Sequence, residues 1–177
     1  MPWAITSGPC ATIGVRITWK HMVTGTIESI YIASRSGDAM RSVVRAELIA
    51  GCGIRGDRNY KELSSTVAHD AQITLIAAEE IERFRRETGL RIDWGDPRRN
   101  VVTRGVALHE LVGREFRVGN AVISAIELCE PCATLGRRLC TGEVSAAAVI
   151  AAFAHRAGLR ARIASGGTIG PGDAVDT

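Results

Sequence analysis

Apolar and polar residues alternate along much of this chain, and a period of two is typical of β-strands that are buried on one face. The alternation is clearest in 23–33, where Ile27, Ile30 and Ile32 interleave imperfectly with polar residues. A short and almost wholly apolar run, 72–77, favours a strand buried on both faces. The same reasoning predicts further extended segments at 42–50, 99–105, 114–119, 121–129 and 159–167.

Two segments follow a helical pattern instead. In 78–89, Ile81 and Phe84 lie three positions apart on one face, and a glycine follows the last turn. The alanine-rich segment 143–158 predicts a second helix that Gly158 ends. Because the strands come in consecutive runs rather than alternating strictly with helices, we predict a mostly β fold. Its core is a largely antiparallel β-barrel with two or three helices packed at its ends.

The length of 177 residues is typical of one domain. Apolar residues make up 46% of the chain and charged residues 23%, which is enough to close a hydrophobic core and argues against global disorder. No apolar run approaches the roughly 18 residues of a transmembrane helix. Residues 1–21 lack the apolar region of a signal peptide, so we expect an N-terminal extension, 1–21, followed by one domain, 22–177.

Charge and cysteine content narrow the classes of function. A net charge of +3 is too small to indicate nucleic-acid binding by bulk electrostatics. Lys20 and Lys61 are the only lysines beside many arginines, whose planar forks bind phosphate and carboxylate groups in a bidentate manner. GC-rich coding also produces such a composition, so only local clusters of arginine are informative. Five cysteines, an odd number with no secretory signal, argue against a disulfide framework and favour a reducing cytoplasm.

The first candidate segment is the loop 53–61, GIRGDRNYK. Its charged and turn-forming residues are Arg55, Gly56, Asp57, Arg58 and Lys61. The glycine permits a close backbone approach to a ligand, and the aspartate is available to orient a guanidinium. Such a loop fits an anion-binding site, and the alternative is a solvated hairpin loop.

The second candidate segment is 95–105, GDPRRNVVTRG. Arg98, Arg99 and Asn100 come just before a strand of β-branched residues, which would place them at the mouth of a barrel, where ligands bind. Alternation puts Arg99 and Asn100 on opposite faces, and spacing does not decide which of them points inward. The alternative is a charged loop after Pro97.

The third candidate segment is 127–140, ELCEPCATLGRRLC. Pro131 suits the first position of a helix, which would put Cys132 in the first turn, where the helix terminus favours a thiolate. Four interpretations stay open at this point. Cys129 and Cys132 form a redox pair, or Cys140 joins them in a zinc site, or Cys132 alone is reactive, or all three thiols are buried and inert.

The other residue types used in catalysis show no familiar arrangement. The four histidines are scattered, and both His109 and His155 fall in helix-like segments where a structural role is expected. The chain has no Ser-His-Asp order, no Gly-Lys-Ser phosphate loop and no His-Glu-x-x-His motif.

Five strings in a fixed order resemble the MOSC family, which is named for the C-terminal domain of molybdenum cofactor sulfurases. They are GIRGDRNY, AQITLIAAEEIERF, RRNVVTRGVALHELVGREFRVGNAVI, ELCEPCATL and GLRARIASGGTIGPGDAV. The resemblance runs from about Val23 to Val175 and is to the small, single-domain bacterial members. It implies a β-barrel of the MOSC and pyruvate kinase kind, with a pocket that binds the molybdenum cofactor or carries sulfur for it.

The resemblance also assigns roles to individual residues. It implies that Cys132, in its Pro-Cys context, is the sulfur carrier or the molybdenum ligand. The positions that match the family's cofactor-binding motifs are Gly56, Asp57, Arg58, Arg98, Arg99, Asn100 and Thr103, with Gly105 following. Two departures matter, because relatives often have His where this chain has Asn59, and Cys129 is an additional thiol near Cys132.

Three functions follow from these observations. The first is an oxidoreductase that binds the molybdenum cofactor (molybdopterin) through Cys132 and acts on N-hydroxylated small molecules, as some relatives do. The anionic tail of the cofactor would be held by basic residues of the two arginine-rich segments: Arg55, Arg58, Lys61, Arg98 and Arg99. The second is a sulfur carrier that accepts a persulfide sulfur on Cys132 from a cysteine desulfurase.

The third function is a non-catalytic barrel that binds anions or nucleic acid. The low net charge and the few aromatic residues argue against nucleic acid. The enzymatic function implies a redox partner, which the sequence does not identify. Pyridoxal phosphate is linked to the family through the fused desulfurase domain, and we do not expect it here because no convincing Schiff-base lysine is present.

Overall fold

The structure is a computed structural model that describes residues 24–62 and 71–177, so the predicted extension 1–21 lies outside the described residues. The strands are β1 (Thr24–Ile32), β2 (Arg41–Val43), β3 (Ala46–Ile49), β4 (Gly53–Ile54), β5 (Ile73–Ala77), β6 (Val101–Arg104), β7 (Glu115–Val118), β8 (Ala121–Leu128), β9 (Leu159–Ser165), β10 (Gly167–Ile169) and β11 (Ala174–Asp176). The helices are α1 (Ala78–Thr88), α2 (Ala133–Leu139) and α3 (Ala146–Phe153), with a short 3-10 turn at Leu108–Leu111.

Seven strands close into a barrel in the order β11-β7-β8-β9-β5-β6-β1, and β11 pairs with β1 to complete the circle. Within this barrel β5 and β6 run parallel, joined by the crossover helix α1, and the other neighbouring strands are antiparallel. The prediction of a mostly β fold, a largely antiparallel barrel with peripheral helices, is therefore confirmed.

The imperfect alternation in β1 has a local cause. The pairing between β1 and β6 shifts between Ile27 and Ser29, so Glu28 is the extra residue of a β-bulge. The bulge lets Ile27 and Ile30, three positions apart, both be buried inside the barrel. The side chain of Glu28 turns outward and accepts a hydrogen bond from Arg104 Nε at 2.8 Å.

The apolar residues form two cores on opposite sides of the barrel wall. One fills the barrel and includes Leu75 and Val101, and the other lies outside it and includes Ile76 and Val102. The helices cover this outer core, where the rings of Phe84 in α1 and Phe153 in α3 stack with their centroids 4.5 Å apart. Strands β5 and β6 are thus buried on both faces, which explains their continuous apolar runs.

The predicted strand 42–50 is wrong as one element. It divides into β2 on the barrel and β3 on a separate sheet of order β10-β3-β4. Between them Val44 is 83% exposed, so its β-branched side chain, which favoured a strand in the sequence, points into solvent at the bend. The chain then turns back after β3 and pairs with it as β4. The candidate segment 53–61 therefore begins with the second strand of a hairpin.

The helix at 78–89 is confirmed, but the predicted boundaries of the helix at 143–158 are wrong at both ends. Ser145 caps α3 by accepting a hydrogen bond from the backbone of Ala148 at 3.1 Å, so the helix starts three residues later than expected. At its other end the chain turns at His155, whose φ is 59°, and Gly158 lies beyond the helix. No helix in the described ranges is both long and apolar enough to cross a membrane.

Candidate functional site

A buried carboxylate joins the first two candidate segments. Asp57 is 5% exposed, and its Oδ1 accepts hydrogen bonds from the backbone of Ala33 at 3.1 Å and from Asn100 Nδ2 at 3.2 Å. Its Oδ2 accepts from the backbone of Asn59 at 3.0 Å. Arg58 Nη1 lies 3.3 Å from Asp57 Oδ1, which confirms that this aspartate orients a guanidinium. The charge is stabilised in the interior because donors surround it.

The Asn100 amide is fully buried on the outer side of the barrel wall. Its Oδ1 accepts from the backbone and the hydroxyl of Thr74 at 3.2 and 2.8 Å, and its Nδ2 also donates to the Tyr31 carbonyl at 3.2 Å. Asn100 therefore ties β5, β6 and the end of β1 to the Asp57 loop. The part played by Thr74 had no signal in the sequence, because a threonine in an apolar strand is ordinary.

Three guanidiniums gather beside this network. Arg58 Nη2 donates to the Arg98 carbonyl at 3.2 Å, and Arg98 adopts a φ of 62°, which is uncommon for a residue with a side chain. Burial lowers the pKa of Arg98, and the neighbouring charges of Arg58 and of Arg138 in α2 lower it further. Positive charges that destabilise one another in this way favour a bound anion. Sequence reasoning missed Arg138.

A cavity of about 240 Å³ opens among these side chains. Arg98 and Arg138 line it together with Tyr31, Met40, Trp94 and the acidic residues Asp93 and Asp96, whereas Cys132 and Arg99 are not part of its lining. It lies between the start of β6 and helix α2, so residues from the second and third candidate segments share one wall. The structure thus brings part of both segments together.

Arg99 is the arginine whose guanidinium interacts electrostatically both with the thiols and with Arg58. Its side chain is half-buried, and Nε donates to the carbonyl of Ala157 at 2.7 Å. Burial lowers the pKa of Arg99, whereas the nearby thiols of Cys129 and Cys132, in that order, act to raise it. A guanidinium held in this way favours negative charge on a neighbouring sulfur atom.

Cys132 is the N-cap residue of α2, so the predicted helix start at Pro131 is two residues too early and Cys132 lies just before the first turn rather than in it. Its side chain is exposed, and it makes no capping hydrogen bond as a thiol. The backbone N–H groups of Leu135 and Thr134 nevertheless favour its thiolate and lower the pKa of Cys132, with a smaller contribution from Arg99. The expected preference for a thiolate is confirmed, with the cap position as its cause.

Cys129 has the opposite environment. It is 4% exposed, and its backbone N–H donates to the Gly158 carbonyl at 2.8 Å. Burial raises the pKa of the Cys129 thiol, although Arg99 and Arg160 oppose the shift. Cys140 lies at the far end of α2, and the described residues contain no group of three or more His, Cys, Asp or Glu that could hold a metal ion.

Other sequence-predicted residues lie away from the thiol. Arg55 forms an exposed ion pair with Glu47 of β3, with Nε and Oε2 2.6 Å apart, and Lys61 is exposed after the β4 turn. Thr103 is buried in β6, with its hydroxyl 3.5 Å from the carbonyl of Ile76. Gly56 is an exposed turn residue with a φ of 79°.

The two histidines in helix-like segments meet at a second cavity. This cavity, of about 620 Å³, is lined by His109, His155 and apolar residues such as Val106 and Leu108, and Cys132 is not part of its lining. His155 Nδ1 lies 2.9 Å from Glu130 Oε1 in an exposed pair. Tertiary packing alone brings these residues together from segments 46 positions apart in the chain.

Comparison with known proteins places this barrel in a family. The family model described as "MOSC domain" matches residues 62–176, so the chain belongs to the MOSC domain family, which includes molybdenum-cofactor-dependent reductases. The matched stretch contains the second and third candidate segments and begins directly after the end of the first. No curated protein matches the chain.

Solved structures share the fold. The YuaD protein from Bacillus subtilis is 19% identical with a TM-score of 0.76, and the alignment covers 90% of this chain and 97% of that one. YiiM from Geobacillus stearothermophilus is 16% identical with a TM-score of 0.66, covering 86% and 75%. YiiM from Escherichia coli is 16% identical with a TM-score of 0.58, covering 88% and 68%. At these identities the similarity concerns the fold alone.

The environment of Cys132 predicts how the reactivity of its thiol depends on pH. Alkylation by iodoacetamide should rise with pH through a midpoint below the usual thiol value of about 8.5, because the thiolate is the reactive form. Arg99→Leu should raise that midpoint, since the guanidinium contributes to stabilising the thiolate. Mass spectrometry of the tryptic peptide 118–137 measures the rate at each pH. Arg114→Leu removes an exposed arginine elsewhere and should leave the midpoint unchanged. Equal midpoints in the wild type and Arg99→Leu would contradict the assignment.

Proposed function

We propose that this MOSC protein binds the molybdenum cofactor, with the Cys132 thiolate as a ligand of molybdenum, and that it reduces N-hydroxylated compounds. The observation that carries the proposal is the exposed Cys132 thiol at the start of α2, beside the half-buried guanidinium of Arg99. Membership of the MOSC family supports the choice of cofactor.

The chemistry of the donor set fits this cofactor. A thiolate is a soft ligand, and guanidiniums bind the phosphate of the pterin tail in a bidentate manner. Arg98 and Arg138 line a cavity together with Asp93 and Asp96, and an anion bound between the two guanidiniums would relieve their mutual repulsion. When bound, the cofactor would supply two-electron redox chemistry at the metal.

The residues of this chain then divide into contacting and positioning groups. Arg98 and Arg138 would contact the anionic tail in the cavity that they line, and Cys132, which lies outside that lining and near Arg99, would contact the metal. Asp57 and Asn100, both buried and hydrogen-bonded within the protein, hold Arg58 and the start of β6 in place. Their role is positioning, because their polar atoms are already engaged. Arg55 and Lys61 are left out, since neither lies beside the thiol or the cavity.

Molybdenum content tests the proposal. Wild-type protein made in a host that synthesises the cofactor should contain the metal, and Cys132→Ser should lose most of it, because a hydroxyl is a poor replacement for a thiolate ligand. Elemental analysis of the purified proteins gives the result. Cys140→Ser, which alters the other exposed cysteine of the same helix, should keep wild-type content. Equal metal content in the wild type and Cys132→Ser would rule the assignment out.

A sulfur carrier is the second candidate, and the same exposed thiol with its lowered pKa favours it. The cysteine would accept a sulfane sulfur from a cysteine desulfurase and hold it as a persulfide. Wild-type protein that contains no molybdenum, but gains one sulfur atom at Cys132 when incubated with a desulfurase, would replace the first proposal by this one.

A further inference from the structure

The larger of the two cavities lies at the carboxyl ends of the two parallel strands of the barrel. Ala77 ends β5 and Gly105 directly follows β6, and both residues line this cavity of about 620 Å³. In open α/β sheets, ligands bind outside the carboxyl ends of parallel strands, and β5 and β6 present the same kind of edge here. We infer that the cavity is a second binding site, which takes a small organic ammonium ion with an apolar body. The inference goes beyond the proposed function, because Cys132 is not part of this lining.

Five parts of the chain form the walls of this cavity. They are the end of β5, the start of α1, the loop after β6, the end of β8 and the turn before β9. Backbone pairing holds three of them together, because Leu159 of β9 pairs with Leu75 of β5 on one side and with Leu128 of β8 on the other. The loop after β6 is tied to α1, since the backbone N–H of Gly105 donates to Glu79 Oε1 at 2.8 Å. The site is therefore formed by the packed barrel itself, so little ordering is needed on binding.

The interior of the cavity is apolar. Val106 and Leu108, which are 6% and 5% exposed, line it together with Ala77 and the half-buried Leu128. Small-molecule sites have volumes of about 300–1,000 Å³, a range that includes this cavity. An apolar interior of this size favours a ligand with an apolar body, because removing that body from water supplies binding free energy.

The charged residues of the lining favour a cation at the rim. Glu79 and Glu80 of α1 face Arg156, which is the one arginine or lysine among the described lining residues. Glu80 is already paired, because its Oε2 lies 2.8 Å from Arg83 Nε and its Oε1 lies 3.4 Å from Arg156 Nη1. Glu79 accepts its hydrogen bond from a backbone N–H and forms no ion pair in the described part of the chain. Its carboxylate is thus available to pair with a cationic head group.

Two further carboxylates lie beside the histidines of the rim. His155 Nδ1 lies 2.9 Å from Glu130 Oε1, and His109 Nε2 lies 3.9 Å from Glu110 Oε1. With neutral histidines, the rim and its immediate partners carry more negative than positive charge, although the whole chain has a net charge of +3. This local excess matches a cationic ligand and disfavours an anionic one.

Titration of the full chain with three matched aromatic probes tests the inference. They are 1-naphthylmethylammonium, its neutral counterpart 1-naphthylmethanol and the anion 1-naphthoate. We expect the ammonium probe to shift the amide resonances of residues 105–109 in isotopically labelled protein, with a Kd of about a millimolar or less. The alcohol should shift the same resonances but bind roughly twofold to fivefold more weakly, which is the factor that one partly exposed ion pair supplies. The naphthoate should bind more weakly than the alcohol.

Two variants separate the apolar body from the charged head. Ala107→Trp adds an indole at an exposed position of the lining and should greatly weaken the binding of the ammonium probe and of the alcohol. Glu79→Gln keeps an oxygen acceptor for the Gly105 N–H but removes the charge, so the ammonium probe should bind no more tightly than the alcohol. Glu143→Gln is the matched control, because it removes an exposed carboxylate at the opposite end of α3 from His155, and it should bind like the wild type.

Three results would overturn the inference. The first is that the resonances of 105–109 stay unchanged at about 10 mM of the ammonium probe, well above the expected Kd. The second is that naphthoate binds the wild type as tightly as the ammonium probe does. The third is that Ala107→Trp or Glu79→Gln binds the ammonium probe like the wild type. The first two results need only the wild-type chain, so they stand even where a variant fails to fold.

Discussion

Gly158→Ala is expected to cause a large loss of stability, on the order of 3–5 kcal/mol, from a strained backbone and a steric clash together. Gly158 has a φ of 111°, and an added Cβ would lie 2.1 Å from the carbonyl oxygen of Leu75. That oxygen belongs to β5, where Leu75 pairs with Leu159 of β9, so neither backbone can move without opening the barrel. Urea unfolding followed by circular dichroism measures the free energy of unfolding.

Two glycine variants serve as controls for this result. Gly89→Ala keeps a positive φ of 73° with nothing within 4 Å of the new Cβ, so it should cost about 1–2 kcal/mol for backbone strain alone. Gly142→Ala faces open space and should change stability little. A loss for Gly158→Ala no larger than that for Gly89→Ala would contradict the steric argument.

Asp57→Ala is expected to destabilise the protein by about 3–5 kcal/mol, because it leaves the donors around the carboxylate without a partner. The backbone N–H groups of Ala33 and Asn59 would lose their acceptor, and the Asn100 amide would lose one of its two. The guanidinium of Arg58 would also lose its counter-charge, so the neighbouring guanidiniums of Arg58 and Arg98 should become less ordered. The same urea titration measures the loss.

The control for this prediction is Asp93→Ala, which removes an exposed carboxylate near the cavity and should change stability by less than about 0.5 kcal/mol. Asp57→Asn should fall between Asp57→Ala and the wild type, because its amide oxygen can replace one acceptor while its NH₂ group faces donors. If Asp57→Ala unfolds like Asp93→Ala, the carboxylate does not organise the site.

Much of the fold was predictable because alternation is a local property. Side chains in a strand point to opposite faces at every second residue, so the runs in β1 and β8 indicate strands with one apolar face without any knowledge of their partners. The helix α1 was predictable for the same reason, from a period near 3.6 and a glycine that ends it. The boundaries of α3 and the division of 42–50 into two sheets depend on distant contacts, and local patterns do not report these.

The candidate site was predictable in its parts but not in its assembly. Cys132 and Arg99 could be selected because their residue types carry specific chemistry in an informative context. Whether a side chain faces a ligand or the protein interior depends on what packs against it. The spacing of Asp57 and Asn100 in the sequence therefore could not show that they hold other residues in place. Arg138 carried no signal, because an arginine on a short helix is usually solvated.

The sequence by itself determined a barrel of short strands and three segments that could carry chemistry, because strand periodicity and residue chemistry are written locally in the chain. Only the tertiary structure decided that two cysteines three residues apart differ in exposure, and that one half-buried arginine lies close enough to favour negative charge on both. Exposure and electrostatic environment depend on residues that are distant in the chain. Here they come from the turn before β9 and the start of β6, which lie beside the cysteines only because the barrel is closed.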